Sequence, residues 1–177
     1  MKKNSITNVL TLIVVLFSFQ LGSCQTRTLT ESPAKSPFNI EMTVDFEKWK
    51  SSRYDAITFS DPDQPGGGIK GRSFTSKVGP QLPIKWTAKI INTGKMDLEV
   101  ILITVFRDPI NGGDQVLLAP WYNSKNGGRH IMGRTRNFVL KNEKEEILEH
   151  YLISFAITDN DGKYDIYTID PILRGHQ

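Results

Sequence analysis

The side chains that could carry chemistry are few and widely spaced. Three histidines, His130, His150 and His176, stand far apart, and none forms a His-x-x-x-His or His-Glu-x-x-His arrangement that would set two ligands on one metal. The single cysteine is Cys24, and no Gly-x-Ser-x-Gly element is present to expose a serine nucleophile. Carboxylates are plentiful, yet no pair is singled out by its spacing to flank a substrate. Gly66-Gly67-Gly68 is followed by neither Gly-Lys-Ser/Thr nor a helical pattern, so it does not read as a phosphate cradle. Asp159, Asp161, Gly162 and Asp165 carry part of a calcium-loop spacing. The glycine falls too early and the closing glutamate is missing, so Asn160-Asp161-Gly162 reads as a hairpin turn instead. The expectation is a protein without catalytic residues, metal or cofactor.

Binding chemistry is better represented. Trp121 and Tyr122 open a polar, glycine-rich stretch from Pro120 to Arg129 that reads as a long loop. Large aromatics in such a setting can offer a stacking face to a sugar or peptide, with Asn123, Asn126 and Arg129 as hydrogen-bonding partners. The competing role for Trp121 is structural: folded back over the end of the domain, it would bury a large apolar area. Arg129, Arg134 and Arg136, with Lys125 near, make the densest basic cluster. Arg134 and Arg136 share parity and would point to one face if a strand extends that far. That face suits an anionic partner such as a lipid head group, a phosphate or an acidic protein patch, or it simply discourages edge pairing. The candidate ligand-binding set is therefore Trp121, Tyr122, Asn123, Arg129, Arg134 and Arg136.

The elements that must position these residues are strands. Phe38, Ile40, Met42, Val44 and Phe46 alternate with polar residues, as a strand with one dry face requires. Tyr54 to Ser60 gives a weaker strand, and Asp61 to Gly68, rich in proline and glycine, reads as loop. Ile84, Trp86, Ala88 and Ile90 form a third alternating run, which turns at Asn92-Thr93-Gly94-Lys95. Leu98 to Phe106 is apolar at both parities, the pattern of a strand covered on both sides. Val116 to Ala119, Thr135 to Leu140, Tyr151 to Thr158 and Tyr164 to Ile169 complete the strands, and Asn142 with Glu145 fits a capping box. About eight or nine short strands without a long helix predict an all-β fold, a β-sandwich, with a small β-barrel as the alternative. The strand from Ile84, the Asn-x-Gly turn and the strand ending at Phe106 together resemble the middle of an immunoglobulin-like bacterial module, which implies an immunoglobulin-like sandwich.

The N-terminus reads as a targeting segment. Lys2 and Lys3 precede an apolar run from Val9 to Phe19, a length suited to a signal core and too short to span a bilayer. Leu21-Gly22-Ser23-Cys24 follows and resembles the lipobox of bacterial lipoproteins. That resemblance implies cleavage before Cys24, lipidation of its thiol and a lipid-anchored protein at a bacterial membrane. Gln25 after the cysteine is similar to sorting patterns for the periplasmic face of the outer membrane. An ordinary signal peptide that leaves Cys24 as a free thiol is the alternative. The expected organisation is a signal peptide over 1–23, a linker over 24–37 and a single domain over 38–177. Removal of Lys2 and Lys3 would take the formal net charge from +3 to +1, a balance that argues against nucleic acid as partner. The function expected is a cell-envelope binding or scaffold module that contacts a protein or glycan. The alternative is an inhibitor or immunity-type protein that neutralises one envelope enzyme.

Overall fold

The computed structural model describes residues 35–125, 127–141, 145–159 and 164–176. Cys24 and its targeting segment, Asn126, Asn142 of the expected capping box, and Asp161 and Gly162 of the calcium-like spacing lie outside the described residues. Eleven strands are present among those described: β1 (Phe38–Asp45), β2 (Ile57–Asp61), β3 (Gln64–Lys70), β4 (Thr75–Val78), β5 (Pro83–Ile91), β6 (Leu98–Arg107), β7 (Trp121–Asn123), β8 (His130–Arg134), β9 (Ile147–Asp159), β10 (Tyr164–Ile169) and β11 (Ile172–Gly175). One short helix, α1 (Phe46–Trp49), follows β1.

The strands build two mixed sheets packed face to face. The first has the order β3-β2-β1-β5-β8; the second runs β4-β11-β9-β6-β7, with β10 also paired to β9. Neither sheet closes on itself, so the barrel alternative is corrected in favour of a sandwich. Two pairings are parallel, β1 with β5 and β4 with β11, whereas an immunoglobulin sandwich is built from antiparallel sheets. The core lies between the layers, where Ile40, Met42, Ile84, Trp86 and Ile131 of the first sheet meet Leu102, Val105, Tyr151, Ile153 and Phe155 of the second.

Several expected boundaries shift for physical reasons. Strand β1 stops one residue early because Asp45 caps α1, its carboxylate accepting from Lys48 N at 3.3 Å, and the chain turns to bury Trp49. Where a loop is expected over Asp61 to Gly68, Gln64–Lys70 is a strand at the edge of the first sheet, the position where proline and glycine are tolerated in a sheet. Val116 to Ala119 is not a strand and makes a single bridge from Leu117 to Thr135. Strand β8 falls earlier than expected, ending at Arg134, and residues 136–140 form no regular element. The two-parity pattern of β6 comes from a bulge and not from coverage on both sides. Ile103 is inserted between Leu102, opposite Phe155, and Thr104, opposite Ser154. The buried set therefore switches from Val100 and Leu102 to Val105.

Candidate functional site

Alternation along β7 decides what Trp121 and Tyr122 do. Neighbouring residues on a strand face opposite sides of the sheet. Tyr122 stands opposite Val105 and turns inward, its ring centroid 6.0 Å from that of Trp86. Its hydroxyl accepts from Ala119 N at 2.9 Å and donates to the carbonyl of Arg134 at 3.0 Å. Tyr122 is thus a structural tie between the 119–121 bend and β8, and it is removed from the candidate ligand contacts. Trp121 stands opposite Phe106 on the outer face and is 64% exposed. The indole does not fold back over the core, where Trp49 and Trp86 are the buried tryptophans.

Register places two further apolar side chains beside Trp121. Phe106 lies opposite Trp121 on one side and opposite Leu152 of β9 on the other, so the three form a cross-strand row on the outer face of the second sheet. With strands about 4.8 Å apart, the row is roughly 10 Å wide. Past it, Phe106, Pro109, Ile110, Gly113, Pro120 and Trp121 line an open cleft of about 540 Å³. Ile110 is 87% exposed at its rim. The outer face of the first sheet differs in kind, carrying Glu41, Lys85, Thr87 and Lys89, with Glu41 and Lys89 ion-paired.

The polar groups around the cleft are occupied by the protein itself. Asp108 accepts from Ile110 N at 2.7 Å, Asn111 N at 3.0 Å and Asn111 Nδ2 at 3.1 Å. The backbone N–H groups of Asn111 and Ile110 hold its carboxyl below the usual aspartate range. Arg107 donates to the carbonyl of Gly113. Behind this segment Glu149, 1% exposed, accepts from both Val116 N and Leu117 N at 2.6 Å. Burial pushes its carboxyl above the ordinary glutamate range, opposed by those two N–H groups and by the charges of Arg107 and Arg136.

The basic cluster divides. Arg129 and Arg134 are exposed, and Arg134 pairs with Pro83 on the first sheet. Thr135 ends the strand by burying its hydroxyl, which accepts from Leu82 N and donates to the carbonyl of Gly79, both at 2.8 Å. Arg136 lies past the end of β8, half-buried and close enough to Glu149 to act on its charge, so the strand parity expected to set Arg134 and Arg136 on one face does not extend to it. Asn123 is exposed on β7 opposite Thr104, next along the same face from Trp121. His130 pairs with Thr87 and bridges to Lys125, whereas His150 lies on β9 opposite Ile172. Among the described residues no group of three or more His, Cys, Asp or Glu is gathered as for a metal ion, and no helix is long and apolar enough to cross a membrane. Phe106 and Leu152 are not among the candidates read from the sequence, because only the register of β6 with β7 and β9 sets them beside Trp121.

No protein-family model and no curated protein matches the sequence. In three dimensions the chain is similar to the inclusion body protein PixA from Burkholderia cenocepacia, with a TM-score of 0.51 and 12% identity, over 82% of this chain and 98% of that one. At that identity the likeness is one of fold. The expected recognition is corrected accordingly: the described domain shares its fold with this inclusion body protein, and neither the lipoprotein nor the immunoglobulin-like resemblance is matched by a family model.

Proposed function

We propose that this chain is a binding module that acts by contact and not by catalysis, and that its contact face is the Trp121–Phe106–Leu152 row with the adjoining cleft. The observation that supports this most is Trp121 itself, a large indole held in the open by a paired strand next to two more apolar side chains. A protein partner fits better than a glycan. The carboxylate of Asp108 and the guanidinium of Arg107 are engaged within the chain, so the cleft offers chiefly apolar surface, whereas a sugar needs hydrogen-bonding groups for its hydroxyls. Trp121→Ala is expected to weaken partner binding by about 2 kcal/mol or more, roughly thirtyfold in affinity, as for a central tryptophan in an interface. Its melting temperature should stay near that of the parent, since exposed substitutions shift stability by only about 0.5 kcal/mol. Parallel affinity captures from envelope extract with parent and variant measure this, and equal recovery of the same partner would remove Trp121 from the contact face.

A further inference from the structure

Resting on the reading of Trp121 as a contact residue, we infer that the partner presents an acidic protein segment, which lays an apolar side chain on Trp121 and carries its carboxylates along β7 to Lys125 and Arg129. The charge pattern is the first ground. Residues 115–142 contain five cations, Lys125, Arg129, Arg134, Arg136 and Lys141, and no acid. Geometry then places one of these, Lys125, in line with the indole. Trp121, Asn123 and Lys125 occupy alternate positions along one extended stretch and all three are exposed. At about 3.3 Å per residue, Trp121 and Lys125 stand roughly 13 Å apart, within reach of one short extended peptide.

A tight turn then brings His130 opposite Lys125, with Arg129 the residue just before it. Gly127 and Gly128 both have positive φ, 73° and 78°, and Lys125 bridges to His130 across the turn. Gly128 is seated against the second sheet, its carbonyl accepting from Leu102 N at 2.9 Å, and a Cβ there would lie 2.1 Å from Ile101 Cγ2. Arg129 is thus carried on a turn pressed to the sheet that bears Trp121.

The nearby carboxylates are engaged elsewhere. Asp108 is saturated by its own turn, Glu149 is buried under Val116 and Leu117, and Asp114 accepts from Leu148 N. Among the described residues neither Lys125 nor Arg129 makes an ion pair. An aromatic anchor followed by two free cations suits a peptide with an apolar residue ahead of several acids. An anionic bilayer would call for cations spread over a plane, and here Lys125 and Arg129 are gathered at the one turn that joins β7 to β8.

The test uses the full chain and two synthetic peptides, each with one phenylalanine followed by a short run of glutamates or, in the control, glutamines. Fluorescence anisotropy at low salt should show the glutamate peptide binding about tenfold more tightly. The advantage should shrink in about 1 M salt, where the Debye length falls to roughly 3 Å. Lys125→Glu with Arg129→Glu should erase the preference and leave the weaker glutamine-peptide binding in place, with Lys125→Gln and Arg129→Gln as the milder pair. Equal affinity for both peptides, with Trp121→Ala still abolishing binding, would overturn the acidic partner and leave the contact face standing. Binding indifferent to Trp121→Ala would overturn the contact face itself. Loss of binding to phosphatidylglycerol vesicles in the charge variants, with the glutamate peptide unaffected, would assign the cations to a membrane and overturn the inference.

Discussion

Trp86→Ala is expected to lower the unfolding free energy by about 3–5 kcal/mol, the cost of removing a buried tryptophan from a packed core. Trp86 leaves β5 of the first sheet and reaches across to the second, its ring centroid 6.0 Å from both Tyr122 and Tyr151. Its Nε1 donates to Tyr151 Oη at 3.4 Å, and burial pushes the Tyr151 hydroxyl well above its usual range, so that oxygen stays neutral. Space for the indole comes from Gly133 on the next strand, where a Cβ would lie 2.6 Å from Trp86 Cζ3. The alanine variant would open a cavity between the sheets and remove the hydrogen bond to Tyr151. Urea unfolding of parent and variant measures the difference. A loss below about 1 kcal/mol, the range of surface changes, would show that the two sheets do not depend on this contact.

Glu149→Ala is the second large effect, and it acts on the connection that walls the cleft. That connection is stitched to both sheets. Asp114 N donates to the carbonyl of Leu148 at 2.8 Å, His150 N to that of Gly112 at 3.2 Å and Leu118 N to that of Arg134 at 2.9 Å. Glu149 supplies the acceptor for the two N–H groups in the middle, Val116 and Leu117, both residues being buried. Orphaning them costs about 1–3 kcal/mol each, so the variant should be destabilised by several kcal/mol, and Glu149→Gln, which keeps an acceptor oxygen, by less. The pH response has a definite sign. Because burial raises the folded carboxyl above its unfolded value, the folded chain keeps a proton that the unfolded chain has released. Stability contributed by this group therefore falls as pH rises from the ordinary glutamate range through the raised value, and returns on acidification. Unfolding curves across that range should show the slope in the parent and lose it in Glu149→Gln; an identical slope in both would assign it to another group.

Strands with one wet face were readable from the sequence. The alternations of Phe38 to Val44 and of Ile84 to Ile90 match β1 and β5 closely, since each side chain's environment follows from its parity. Legibility failed where a partner strand, and not the local pattern, decides the outcome. Gln64–Lys70 joins the sheet only because β2 offers it an edge. The short β11 exists because β9 runs 13 residues and leaves Ile147–His150 free to pair beyond β10. The candidate site shows the same division. The residue types of Trp121, Asn123 and Arg129 marked a binding stretch, while the opposite orientations of Trp121 and Tyr122, and the separation of Arg134 from Arg136, required the register of β7 and the end of β8.

The parallel pairing of β4 with β11 sets an order of events as the chain is made. Thr75 of β4 lies opposite Ile172 of β11, and Val78 opposite Gly175, so these partners are separated by nearly a hundred residues. The first sheet can assemble as soon as β8 has emerged, because all five of its strands lie before residue 135. The second cannot: β4, made early, must wait until Ile172–Gly175 is available. Throughout that interval the apolar inner faces of β1 and β5 lack their cover. Non-local closure of this kind is slow, because the loop entropy must be met before the contacts form. A nascent chain of this fold therefore spends its synthesis half-dressed, its second sheet incomplete until β11 arrives.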